Sequence, residues 1–181
     1  MKQLIKALLY RLRGDYTTEK LISMGMSVGK NFKRLNGVIL DPSHCWLITI
    51  GDNVTLAPRV HILAHDASTC FSLGYAKIGK VMIGDNVFIG AESVILPNTI
   101  IGNNVIIGAN STVVKDIPAN EVWAGTPAHY ICTYEEYIEK NKKTMLIRPC
   151  YGEDYTTRKN IDTKKKKQMK KELEDGIGFV K

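Results

Sequence analysis

The sequence predicts an all-β chain wound as a parallel β-helix of short strands. A six-residue repeat predicts it, together with the residue types that fill each position of the repeat. Read from Ile83, the chain runs IGDNVF, IGAESV, ILPNTI, IGNNVI, IGANST, VVKDIP. The first position is Ile five times and then Val, and the second is Gly in four of the six units. The fourth is Asn at Asn86, Asn98, Asn104 and Asn110. A helix would space its apolar residues at about 3.6, and a flat strand of this length would be too long. A short β-branched strand ending in a sharp corner fits. Ile and Val suit the strand; Gly, Asp and Asn suit the corner, since Gly and Asn accept left-handed backbone at little cost. Three hexads make one triangular coil, and stacked coils bury a column of Ile and Val while pairing strands in parallel. The second position is small where the turning backbone leaves little room. A β-sandwich would not hold a six-residue phase through six units.

The elements follow in order. Residues 1–21 form an N-terminal helical cap, with Ile5, Leu8, Leu9 and Leu12 on one face of a helix over 1–13. It covers the open first coil, which would otherwise expose strand edges, rather than lying on a membrane. Residues 22–131 form the β-helix. Loose hexads open it, Val28 to Lys33 being the clearest, and a spacing of four between Trp46 and Ile50 breaks the register. Clean hexads follow from Ile50 and Leu56, then ILAHDA from Ile62. An excursion over 67–80 starts directly after His65-Asp66; insertions in stacked coils leave at corners, often on the binding face. After Pro127 the hexads stop. Residues 132–181 read as a C-terminal helix, N-capped by Thr133 with acidic residues in its first turn, and a basic tail, 150–181 being a loose extension.

Composition bounds the rest. The chain has 181 residues, 44% hydrophobic and 24% charged, which suits one soluble domain with a real core. No uncharged apolar run reaches the roughly 18 residues a spanning helix needs. Lys6, Arg11 and Arg13 argue against a secretory leader. The four cysteines (Cys45, Cys70, Cys132, Cys150) show no Cys-x-x-Cys spacing, so reduced thiols in a cytoplasm are expected. The net charge of +7 is concentrated in Arg158 to Lys181, which holds nine basic against four acidic residues. No aromatics interleave with its lysine run, which argues against nucleic acid; a solvated, partly helical end is expected, with membrane contact not predicted.

The hexads, the histidine-bearing loop and IGANSTVVKDIPANEVWAGTPAHYI (Ile107 to Ile131) resemble the hexapeptide-repeat acyltransferases over about residues 22–131. The group resembled most is the maltose/galactoside O-acetyltransferase-like one, and DPSHCWLITIGDNVTLAPRVHILAHDAS (Asp41 to Ser68) looks most like its capsular-polysaccharide acetyltransferase branch. The histidine loop joined to AGTPA (Ala124 to Ala128) is the specific part of the match. The resemblance implies a left-handed coil, a homotrimer with active sites between neighbouring subunits, and transfer of an acetyl group from acetyl-CoA to a hydroxyl, usually of a sugar.

His65 is the expected catalytic residue. A hydroxyl attacks poorly until a base removes its proton, and imidazole, with an ordinary pKa of about 6.5, suits that task. Asp66, its neighbour, and Asp41, from an earlier coil, are both candidates to orient it. Asp41 and Asn36 are also candidates to hold sugar hydroxyls. By resemblance, the acetyl-CoA arm would run along Phe88, Gly90, Ala109 and Val114, with Lys115 near a phosphate. An amino sugar or another small acceptor is the alternative on the same fold, and two other classes are weighed. A metal enzyme would use His61 and His65, yet four extended residues span about 13 Å, too far for one ion with bonds of about 2.0–2.1 Å; no metal is expected. A non-enzymatic assembly scaffold would need neither the excursion nor a base.

Overall fold

The structure, a computed structural model, describes residues 16–181. The expected helix over 1–13 lies outside the described residues.

Within each hexad the first and fifth positions point inward. Ile83, Ile89, Ile95, Ile101, Ile107 and Val113 are all buried, as are Val87, Ser93, Thr99, Val105, Ser111 and Ile117. The sixth position points outward, so that Phe88 and Ile100 are about half exposed. Three parallel sheets result. The first stacks β1 (Ser27–Val28), β4 (Ile48–Ile50), β9 (Val81–Ile83) and β12 (Thr99–Ile101). The second stacks β2 (Lys33–Arg34), β5 (Thr55–Leu56), β10 (Phe88–Ile89), β13 (Ile106–Ile107) and β15 (Glu121–Ala124), and ends on the antiparallel β16 (His129–Thr133). The third stacks β3 (Ile39–Leu40), β6 (His61–Ile62), β11 (Val94–Ile95) and β14 (Thr112–Val113). The chain visits the sheets in rotation, which is the predicted β-helix.

Asparagine and glycine divide the labour at the corners. Asn31, Asn53, Asn86, Asn104 and Asn120 occupy one edge in left-handed backbone, φ 55 to 64°. Their side chains form a ladder from coil to coil, each donating its amide to the next oxygen at 2.8–3.1 Å. The second-position glycines serve close approach instead: a Cβ on Gly90 or Gly102 would clash with the backbone of the coil above, at Ala109 and Ala119 respectively.

At the start, helix α1 (Thr18–Ser23) is capped by Thr17, whose hydroxyl accepts from the Lys20 N–H. It buries Leu21 beside Cys45. Cys70 and Cys150 are exposed, and all four thiols are free. No helix among the described residues is long and apolar enough to cross a membrane.

A second compact unit, Glu135–Lys181, is distinct from the coil. It holds most of helix α3 (Tyr134–Met145) and the parallel pair β17 (Cys150–Tyr151) and β18 (Phe179–Val180). It also holds the basic helix formed by Thr163–Glu172, N-capped by Asp162. Residues 150–181, expected as a loosely attached extension, have internal structure of their own. Tyr151 is buried and donates to Glu172 at 2.8 Å, while Lys165 bonds Asp154 at 2.7 Å and lies over the Tyr155 ring.

Candidate active site

Two successive coils leave the regular path at the same edge, between the third sheet and the first. Hydrogen-bonded corner residues in regular coils are 18 positions apart, as in Asp85 and Asn103. From the first coil to the second the step is 22, and from the second to the third it is 33. The first enlargement is a short 3-10 turn, Cys45–Leu47, preceded by His44. The second is the lobe opened by β7 (His65–Asp66), which pairs antiparallel with β8 (Lys77–Ile78) around the short helix α2 (Cys70–Leu73).

Strands β3 and β6 pair in the register Ile39 to His61 and Leu40 to Ile62. Asp41 therefore lies directly under the segment entering the lobe, and its N–H donates to the Ile62 carbonyl at 2.9 Å. Its side chain is fully buried. One carboxylate oxygen accepts the Ser43 N–H; the other accepts the Ala64 N–H at 2.9 Å and meets His65 Nδ1 at 2.5 Å. Burial alone would push the Asp41 carboxyl up, but the His65 contact and the two backbone donors outweigh it and hold it below its ordinary value. An ionised carboxylate only accepts, so Nδ1 carries the proton. In neutral His65 the lone pair then sits on Nε2, on a ring about one-third exposed. This arrangement can take a proton from a bound hydroxyl.

Asp66 turns elsewhere. It accepts from Lys77 Nζ at 2.6 Å and from the Ser68 N–H, which together bring its pKa to about 2. Its contacts close the base of the lobe. Asn36 is exposed at the corner between β2 and β3, where its carbonyl accepts the Arg59 N–H. His61 is a half-buried strand residue beside Ile39 and Val94.

The remaining predicted residues lie on two edges of the prism. Val114 and Lys115 follow β14, on the same edge as His65 but further along the stack; both are exposed, and Lys115 Nζ lies 5.2 Å from the Trp123 ring centroid. Phe88 is on the outer face of the second sheet, and Gly90 and Ala109 are at the next corner. Ala109 is exposed, whereas Gly90 is buried beneath it. One chain does not bring these three to His65.

The sequence reading missed His44. Its ring lies 5.4 Å from that of His65, and its Nδ1 is buried with no hydrogen-bond partner. The register break between Trp46 and Ile50 was the available signal. Asp41, His44 and His65 offer donor atoms within 4.8 Å of one another. A metal fits poorly, because both Asp41 oxygens already accept hydrogen bonds and the 2.5 Å contact to Nδ1 holds a proton.

The family description "Bacterial transferase hexapeptide (six repeats)" matches residues 80–115. Protein CapG of Staphylococcus aureus is 37% identical over 173 residues, spanning 91% of this chain and 92% of that protein. Among solved structures, a maltose O-acetyltransferase from Clostridium difficile 630 superposes with TM-score 0.53 and 45% identity, covering 60% of this chain and 59% of that one. A galactoside acetyltransferase in complex with coenzyme A superposes with TM-score 0.57 and 34% identity, covering 64% and 58%. The chain thus spans under two thirds of these two structures and nearly all of CapG. The likeness carries the left-handed sense of the coil, and with the hexads and the match to CapG it places the chain: it belongs to the hexapeptide-repeat acetyltransferase family.

Proposed function

We propose that the chain is an acetyl-CoA-dependent O-acetyltransferase acting on a sugar hydroxyl, with His65 as general base. The observation that carries this reading is the Asp41–His65 pair at the enlarged corner, with Nδ1 committed and Nε2 left to meet substrate. The acceptor hydroxyl gives its proton to Nε2 as its oxygen attacks the thioester carbonyl carbon. The tetrahedral intermediate collapses, the carbon–sulfur bond breaks, and the departing thiolate takes the proton from the imidazolium. Asp41 is the positioning residue: it fixes the tautomer and stabilises the imidazolium charge. No covalent intermediate on the enzyme is required.

A trimer is part of the proposal. Phe88, on the outer face of the second sheet, and Ala109, at the corner after it, lie away from the edge that carries His65, so a groove using all of them needs two chains. Phe71, Leu73, Tyr75 and Ile78 of the lobe are strongly exposed, an apolar surface that a second copy would cover. The acetyl-CoA arm would lie along Phe88, Ala109 and Val114, with Gly90 beneath letting the coils close up. Lys115, a point charge held beside Trp123, would meet a phosphate. The sugar acceptor is supported by the named activities of the galactoside and maltose relatives. The organisation into an N-terminal cap, a β-helix and a C-terminal basic unit, and a cytoplasmic location, complete the reading.

The test is an acceptor screen with acetyl-CoA, following thiol release and product mass. Acetylated saccharide is expected. Acetylation of amines only, or no acetyl transfer to any acceptor, would overturn it.

A further inference from the structure

We propose that His44 and Trp46 form the acceptor subsite, His44 sharing a hydrogen bond with a substrate hydroxyl and Trp46 lying against the C–H face of a sugar ring. The inference rests on the acetyl-transfer reading above and names what the same corner recognises.

The support for these two side chains is rigid. They flank Cys45, which is fully buried with its sulfur 3.6 Å from the Leu21 carbonyl oxygen and 3.8 Å from that of Met24. Upstream, the Asp41 carboxylate holds the Ser43 N–H. The turn is thus tied to helix α1 on one side and to the residue that orients His65 on the other. Side chains held this way can fix a ligand without ordering a loop.

Their polar and apolar surfaces are unsatisfied. Among the described residues, His44 Nδ1 and Thr99 Oγ1 are the buried side-chain polar atoms without a hydrogen-bond partner. An unpaired buried nitrogen is costly unless a ligand completes it. A neutral imidazole offers one donor and one acceptor nitrogen, and either can meet a hydroxyl. Trp46 keeps 54% of its surface exposed, unusual for the largest apolar side chain.

The placement is that of a subsite. The His44 ring lies 5.4 Å from His65 on one side and 5.3 Å from Trp46 on the other, tilted 43° and 52°. The His44 ring thus links the proposed base to Trp46: base, hydrogen-bonding ring, apolar platform. A pyranose presents those complements in the same order, one reacting hydroxyl, a neighbouring hydroxyl and a face of C–H bonds. A small polar acceptor such as an amino acid would leave the tryptophan bare.

The test uses the full-length protein and a saccharide it acetylates. His44→Phe keeps the ring and removes the nitrogen; His44→Gln restores an acceptor. Trp46→Ala removes the platform, and Trp46→Phe keeps part of it. The proposal expects acceptor KM to rise about tenfold in H44F and W46A, with acetyl-CoA KM unchanged, and partial recovery in H44Q and W46F. Acceptor KM unmoved in H44F and W46A, with wild type active, would overturn the subsite alone. Equal rises in both KM values would also overturn it, as would one bound zinc per chain lost in H44F. Wild type inert toward every saccharide would overturn the acetyl-transfer reading together with the subsite.

Discussion

From Ile83 to Val113 the coil repeats with a step of 18 residues, and Asn86 and Asn104 fill one corner the same way. From Asp41 to Lys80 the steps are 22 and 33, and there the unlike side chains Asp41, His44 and His65 come together. The two regions share one core and one strand register, so the difference lies at a single edge. A repeat presents the same side chain at every level, which is how the asparagine ladder forms. A constellation of unlike residues needs the repeat to be broken, and broken twice in adjacent coils. The regular coils then act as a rigid ruler: Asp41 and His65 are 24 residues apart, yet stacking brings them into hydrogen-bond contact.

Substitutions at four positions separate the irregular edge from the regular stack. The largest effect is expected at Asp41. In Asp41→Asn the amide nitrogen can donate to His65 Nδ1, moving the ring proton to Nε2 and occupying the atom that must accept. Turnover should fall roughly a thousandfold, with the tautomer change visible in the nitrogen NMR spectrum of the ring. The contacts that hold the Asp41 carboxylate also tie it to pH. Its pKa is held below the ordinary carboxylate value, so its stabilisation is present above that ordinary value and is lost as pH falls through the folded one.

Next in size is a break in the stack itself. Gly102→Ala places a methyl against the backbone of Ala119; a loss of about 1–3 kcal/mol is expected from the urea midpoint. The asparagine ladder comes third. Asn86→Ala puts a residue less tolerant of left-handed backbone than asparagine at φ 57° and removes bonds to Asn53 and Asn104, for about 1–2 kcal/mol. Asn86→Gly should cost less, since it relieves the backbone while still losing the ladder. The smallest effect belongs to Asp66. Its pKa falls from 3.8 to about 2 on pairing with Lys77 and Ser68. The melting difference between wild type and Asp66→Asn should be present above about pH 4 and vanish as pH falls toward 2, since the group is lowered, not raised.

The regular region was legible in the sequence because each hexad position has one physical duty. Ile83, Ile89 and Ile95 read as inward, and they are. Asn86 and Asn104 read as left-handed corners, and they are. The glycines were harder, because turning and close approach leave the same signature; Gly90 and Gly102 serve the second. The broken edge was only half legible. His65 stood out at the mouth of the excursion, but its partner could not be chosen between Asp66 and Asp41 until stacking was known. Neighbours in an extended chain point to opposite faces, so Asp66 would have needed a sharp bend, whereas the coil-to-coil register delivers Asp41. His44 was hidden for a related reason: its neighbour is one coil away, and four inserted residues had disrupted the phase that would have aligned them. The C-terminal unit carries no repeat, so its strand pair at Cys150 and Phe179 had nothing to announce it.

One measurement bears most directly on the whole account: single-turnover thiol release from acetyl-CoA, in the presence of an accepted saccharide, by His65→Ala. A fall of roughly a thousandfold or more, with acetyl-CoA binding and melting temperature kept, is the predicted result. A rate within a few-fold of wild type would contradict it, and would remove the imidazole from the reaction.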